Sequence, residues 1–367
     1  MGVVVKVDRA RVIAYRVAAL GLAERTADRP ADLAVLDLGV QEYTPDSMRV
    51  ALAARTSADL TDDRLIMVWA TRGAPHLHRR RDLPSLMKAL WPVSDPDATA
   101  RIQSNQIKEG MKLGIAAFTA TAKAFRKVVT RSMPRGEVST KVSALVPREL
   151  TYDCRSCQAR HIAGNVWQHS GLAGAIEVES RGKEASLAPI KNLPGPPTKN
   201  DGIDWLITTY LRLLGPATPA EVAKYLGSST AEMRKVWPDG LAEVTVDGRK
   251  TWLPADAVDD LTGAQPVSGV RFVPPMDALV QARDRDLLVP EKSRQKEVWR
   301  ILGNPGVLLV DGEIAGVWRA KMSGRTRVDL TVTPFESLPP RTRKALDAEA
   351  AEVARARGAS TATVSYS

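Results

Sequence analysis

Both cysteines of the chain stand three residues apart, and two of its four histidines follow them: Cys154-x-x-Cys157-x-x-x-His161, then His169 eight residues on. Thiolate and imidazole are the ligands of a structural zinc site. The stretch 155–170 reads as a helix, however, and four ligands on one continuous helix rarely converge on a tetrahedron. The expectation is therefore no metal, with the cysteines as small core residues one turn apart. The remaining chemistry-bearing residues are basic. Arg72, Arg79, Arg80 and Arg81 form a cluster with no acid until Asp82. Lys123, Arg126, Lys127, Arg131 and Arg135 form a second, with none before Glu137, and Arg319, Lys321, Arg325 and Arg327 a third, between Glu313 and Asp329. Each alone suits a solvated face; three in separate segments suit a shared phosphate track. The chain shows no Walker motif, no Gly-x-Gly-x-x-Gly after a strand and no His-Glu-x-x-His. No cofactor is expected.

Composition agrees with a polyanionic partner. The 367 residues carry 52 Lys and Arg against 42 Asp and Glu, a net charge of +10, and each phosphate neutralised releases condensed counterions. With 44% apolar and 26% charged residues, the chain is of ordinary globular composition rather than disordered or fibrous. The longest uncharged apolar candidates, around Leu113–Ala122, reach about half of the roughly 18 residues a membrane span needs. The opening MGVVVKVDRA meets Lys6 and Asp8 before an apolar run can build, unlike a secretory signal, and Lys6 occupies the Ser/Thr position of a myristoylation motif. Two cysteines cannot make a disulfide framework. These features predict a soluble cytoplasmic protein of several domains, associated with the nucleoid and not with a membrane.

Punctuation divides the chain. Lys191–Asp201, with three prolines and a glycine, reads as a linker. After it, Ile203–Leu214 has helical spacing. Thr218-Pro219 opens a second helix ending at Gly227, and Ser229 caps a third. The runs LAEVTV and KTWLP, joined by Asp247-Gly248, then form a hairpin. Three helices and a hairpin make a winged helix. The same plan is traceable at 117–190: a helix from about Phe118, helical stretches at Ser139–Val146 and Arg155–Ser170, and strands near Ala175–Glu179 and Ala185–Pro189. A first copy falls at 7–115. The last hundred residues read as strands at Val270–Pro275, Gly306–Val310, Ile314–Lys321 and Arg325–Val332, turning at Asp311-Gly312 and Ser323-Gly324, then a helix at Arg341–Arg357 and a strand TATVSYS. The expected fold is α+β: three tandem winged helices at 1–116, 117–196 and 197–266, then a small β-barrel-like domain at 267–367.

At the level of motifs, LDLGVQEYTPDSMRVALAAR followed by IMVWATRGAPHLHRRRDLPSLM resembles the N-terminal module of the AlkZ/YcaQ-like DNA glycosylases. In that family a Gly-x-Gln-x-Gln or Gly-x-Gln-x-Asp element precedes a helix, and an Arg-Gly-Thr-x-His element and an Asp-Leu follow. FVPPMDALVQARDRDLLVP and VLLVDGEIAGVWRAKMSGRTRVDLTVTPF resemble its C-terminal part, so the likeness covers nearly the whole chain in order. It implies a C-shaped monomer around duplex DNA and excision of N-alkylated purines, including bulky adducts and interstrand crosslinks.

Such chemistry needs few groups. A purine alkylated at N7 is already cationic, so its departure needs little general acid, and the protein must chiefly orient water at C1′. Polar residues at i and i+2 of a strand share a face. Gln41 matches the first motif position and its amide carbonyl can accept a hydrogen bond from water. The second position is Tyr43, a phenol and a poor base at neutral pH, and the middle one is Glu42, which a regular strand points to the opposite face. Three readings stay open: a variant site using Gln41 with Glu42, Tyr43 or Asp46; a glycosylase of different substrate range; or an inactive DNA-binding relative. By the same likeness Arg72, His76 and Arg79 contact the backbone or lesion strand, with an internal ion pair the alternative for Arg72, while His78 is expected to be exposed. The Arg319–Arg327 hairpin suits a minor groove or is simply solvated. Arg283, Asp284 and Arg285 divide between an ion pair and a DNA contact.

Overall fold

The structure is a computed structural model that describes residues 5–181 and 184–367. The chain divides into two compact α+β units. One comprises the segment up to Asp63 together with Thr208–Thr218 and Asp239–Ser367; the other comprises Arg64–Ile207 and Pro219–Pro238. The break at Asp63 falls inside the stretch 1–116 read above as one module. No helix among the described residues is long and apolar enough to cross a membrane.

In the first unit, five strands lie in the order Val270–Val273, Gly306–Val310, Glu313–Ser323, Arg327–Pro334 and Thr361–Tyr366. The first four pair antiparallel. Asp311 and Gly312 adopt φ of 50° and 83°, as a two-residue hairpin of right-handed twist requires. The last strand runs parallel to its neighbour. A parallel pair needs a crossover, and helix Pro340–Ala356 supplies it. Val328, Leu330 and Val332 alternate inward along their strand, and Leu346, Ala350 and Val353 form the helix's buried stripe. The helix also lies against strand Val270–Val273 and against helix Ser47–Ala53. A second sheet pairs Val5–Val7, in parallel, with the hairpin of Leu241–Val246 and Arg249–Pro254.

Arginines tie this unit together from within. Arg16, fully buried, pairs bidentately with Asp284 at 2.9 and 2.6 Å. Arg55, equally buried, pairs with Asp277 at 2.8 and 2.9 Å. Arg25 and Arg271 share Glu349.

The second unit packs around Trp69, Phe118, Phe125 and Trp167. Gly171 and Gly174 sit where a Cβ would strike the rings of Trp69 and Phe125. The helices read near Phe118 and Ser139 occupy Ile115–Val128 and Arg135–Ser143, and the following hairpin is Ile176–Arg181 with Glu184–Pro189. The helix expected over 155–170 does not form. Strands Thr151–Cys154 and Ala159–Ile162 make a hairpin there, and only Gly164–His169 is helical. Helices Ile203–Leu214, Pro219–Leu226 and Thr230–Lys235 and the hairpin after them stand where the turn chemistry places them.

Candidate functional site

Gln41 ends the two-residue strand Val40–Gln41. It is 9% exposed, and its Oε1 is buried with no hydrogen-bond partner among the described residues. An acceptor left so costs about 1–3 kcal/mol.

Glu42 has a different task from the one its neighbour suggests. Its Oε1 accepts the Asp46 N–H at 2.9 Å, and its Oε2 accepts the Met48 N–H at 2.8 Å and the Ser47 hydroxyl at 3.1 Å. Helix Ser47–Ala53 begins there, with Asp46 at φ 66° making no side-chain cap of its own, so Glu42 satisfies the N–H groups that a helix start leaves without partners. Ser47 Oγ in turn accepts the N–H groups of Tyr43 and Thr44. Burial pushes the Glu42 carboxyl above its usual range, against those donated hydrogen bonds. The carboxylate expected to assist Gln41 thus also accepts three donors at the start of this helix.

Tyr43 is exposed, and its phenol oxygen accepts the Asn304 N–H at 3.3 Å. Asp46, the other carboxylate considered, has its Oδ2 4.0 Å from Arg357 Nε. Beside this loop, Thr44, Pro45, Ser47 and Val50 line a groove of about 260 Å³ with Asn304, Trp318, Arg319 and Arg357. Arg319 donates to the Gly303 carbonyl at 2.7 Å. Asn304 Oδ1 is a second buried acceptor with no partner among the described residues. Ile301 and Leu302, in the same loop as Gly303 and Asn304, are 101% and 87% exposed. Sequence reasoning passed over Asn304, Arg357 and this apolar pair. The signal was faint: two large aliphatics between Arg300 and an Asn-Pro turn.

The Arg72–Arg79 cluster is internal rather than free. Arg72, at φ 56°, donates to the Tyr225 carbonyl at 2.6 Å and lies 5.2 Å from that ring's centroid. Gly73, at φ 68°, sits where a Cβ would meet Gln168 at 2.8 Å. The Arg-Gly pair is therefore a turn packed on helix Gly164–His169. His76 is 1% exposed, its Nδ1 2.9 Å from the Ala74 carbonyl, and burial holds it down to about 4. The imidazole expected at the backbone or lesion strand is thus covered in this structure. His78, expected to be exposed, is buried, and so is Arg79, which pairs with Asp82 at 3.3 Å. Both faces of strand Pro75–Arg79 are covered. Of the second cluster, Arg126 is spent on the carbonyls of Ala173, Leu193 and Pro194, while Lys123, Lys127, Arg131 and Arg135 are exposed.

The third cluster stands in solvent. Arg319 and Lys321 share one face of strand Glu313–Ser323, and Arg325 lies at the turn. Arg327 is exposed but held by Asp329 at 2.8 Å. Asp284 belongs to the Arg16 pair, whereas Arg285 stacks over the Trp299 ring at 4.9 Å.

The cysteine motif is also rearranged. Cys154 ends one hairpin strand, Cys157 lies in the exposed turn and His161 sits on the returning strand; their ligand atoms all fall within 4.8 Å of one another. Neither cysteine is buried, so the core reading is corrected. His169 lies on the helix beyond, where burial holds it down to about 3.

The model of the AlkZ-like DNA glycosylases matches residues 35–356, a span that holds the Gln41 loop, the groove except Arg357 and the basic hairpin. The chain belongs to the AlkZ-like DNA glycosylase family. Within the family, an interstrand DNA cross-link repair glycosylase of Streptomyces sahachiroi is 31% identical over 175 residues, 45% of each chain. That alignment spans less than half the length of the curated relative. The solved structure of the DNA glycosylase AlkZ of Streptomyces sahachiroi superposes with a TM-score of 0.77 at 24% identity, covering 99% of this chain and 100% of that one, so the two share a fold.

Proposed function

We propose that the protein is a monofunctional DNA glycosylase. It hydrolyses the N-glycosidic bond of N7- or N3-alkylated purines in double-stranded DNA, bulky adducts and interstrand crosslinks among them, and acts as a monomer at the nucleoid without a cofactor. The observation that carries the reading is the orphaned Gln41 oxygen: a buried acceptor with no partner among the described residues, in a family whose named relatives are glycosylases. Gln41 orients the attacking water toward C1′. Tyr43, whose phenol already accepts from Asn304, lines the approach, and the cationic purine departs without a general acid. Arg319, Lys321 and Arg325 hold the phosphates of the strand. Ile301 and Leu302 provide the apolar pair that can take a displaced base's place in the stack. In this reading the three helix-and-hairpin sets act as tandem winged helices, and the last hundred residues as the hairpin-bearing domain.

One observation favours a second reading, an alkyl-DNA-binding protein without hydrolysis: the motif's second position is a tyrosine, and the nearest carboxylate, Glu42, is spent on a cap. Incubation with duplex DNA carrying N7-methylguanine, followed by alkaline cleavage of abasic sites, separates the two. Release that Gln41→Ala diminishes supports the first; binding without release supports the second.

A further inference from the structure

We propose that Cys154, Cys157 and His161 form a site for a thiophilic divalent metal, zinc being the fitting ion, which closes the hairpin Thr151–Ile162. The site is separate from the Gln41 loop and does not depend on the glycosylase reading.

The three ligand atoms already lie within 4.8 Å of one another. A tetrahedral zinc with bonds of about 2.3 Å to sulfur and about 2.0 Å to nitrogen sets its ligand atoms roughly 3.5–3.8 Å apart. An inward shift of about 1 Å therefore completes the set, and Cys157, on the exposed turn, is the ligand with room to make it. Gln158, directly after the second cysteine, holds φ at 50°. That left-handed residue turns the chain from Cys157 into the returning strand, where Ala159 pairs with Cys154, and so keeps both sulfurs and the imidazole at one end of the hairpin.

The imidazole is set for the task. His161 Nδ1 lies 3.0 Å from the Ile162 carbonyl. A carbonyl can only accept, so Nδ1 carries the proton and Nε2 presents its lone pair. This is the carbonyl-oriented histidine typical of metal sites. The Tyr152 ring packs edge-on against it, centroids 4.7 Å apart, which limits its rotation. The Ser156 hydroxyl lies 3.1 Å from Cys154 Sγ and 3.9 Å from Cys157 Sγ, so it can donate to either thiolate. Two thiolates and an imidazole select zinc over magnesium or calcium, which take oxygen ligands. Cys157 is exposed, leaving a fourth position open to water. A two-stranded hairpin is marginal by itself; a metal bridging its end would fix Arg155 in place at its tip.

The test uses the whole protein, kept reduced with a phosphine, and CoCl2 as the probe. The expected result is a near-ultraviolet thiolate-to-cobalt band with the visible bands of tetrahedral Co(II). Both should saturate at one equivalent and bleach on adding one equivalent of ZnCl2. The chain has two cysteines, so a thiolate band can arise only here. Cys157→Ser should abolish it and His161→Gln should weaken binding by about 100-fold or more, with circular dichroism unchanged in both. A reduced wild type that shows no thiolate band and retains no zinc after gel filtration overturns the proposal. So does a wild type whose two thiols stay joined as a disulfide under the phosphine, or a band that survives Cys157→Ser.

Discussion

Replacing Glu42 with glutamine keeps the side chain's size but gives it one acceptor oxygen in place of two. The carboxylate accepts from Asp46 and Met48 N–H groups and from the Ser47 hydroxyl. In Glu42→Gln an NH2 must face one of these donors, so one or two hydrogen bonds are lost and a backbone N–H meets a donor. Such a loss costs about 1–3 kcal/mol. Burial already disfavours the ionised Glu42, which offsets part of it, so the net expectation is about 1–2 kcal/mol, or roughly 2–6 °C in Tm. Base release by the folded variant should change by no more than about threefold, against the 10²–10⁴-fold that loss of a general base costs. The assay is single-turnover release of N7-methylguanine well below the melting temperature, beside a thermal melt. Glu42→Gln with an unchanged Tm and release reduced a hundredfold or more would show that the carboxylate works on water and that the cap assignment is wrong.

Other expectations rest on different parts of the molecule. Asp277→Ala leaves Arg55 buried and unpaired, which should cost about 3–5 kcal/mol; a denaturant midpoint equal to wild type would contradict it. Burial holds His76 down to about 4 and His169 to about 3, against about 6.5 in the unfolded chain. Stability should thus be complete above pH 6.5 and decline as pH falls toward 4, with a slope of up to ~2.7 kcal/mol per pH unit as two protons are refused. His161, whose pKa is raised, opposes this in part, and a Tm that stays flat from pH 7 to 5 would show that neither buried histidine resists protonation. Lys321→Ala and Arg325→Ala should each lower the slope of log affinity for duplex DNA against log salt by about 0.9; unchanged slopes would remove the hairpin from the interface.

Elements punctuated by turn chemistry were legible. Asp247-Gly248, Asp311-Gly312 and Ser323-Gly324 mark their hairpins, and alternation along Val328, Leu330 and Val332 marks an inward face. The hairpin at Thr151–Ile162 was not, because its left-handed position is held by Gln158 instead of glycine or asparagine, and its polar strands give no period of two. The charge surplus misled differently. Arg16, Arg55 and Arg126 count toward +10 but are spent within the fold, on partners as far as 268 residues away; no local pattern records such pairing. Likewise strand Pro75–Arg79 is charged at its end yet covered on both faces, a consequence of packing that periodicity does not encode. At the candidate site, Gln41 was readable from its motif, while Glu42's cap depends on a loop geometry that spacing leaves open.

In the proposed reaction the Gln41 oxygen orients the water that cleaves the glycosidic bond. Single-turnover release of N7-methylguanine from duplex DNA by wild type and Gln41→Ala, with duplex affinity measured alongside, tests it most directly. The expected result is release by wild type, a loss of roughly 10²-fold or more in Gln41→Ala, as for other preorganised catalytic groups, and affinity nearly unchanged. Release of equal rate from both proteins, or binding without release by wild type, would contradict it.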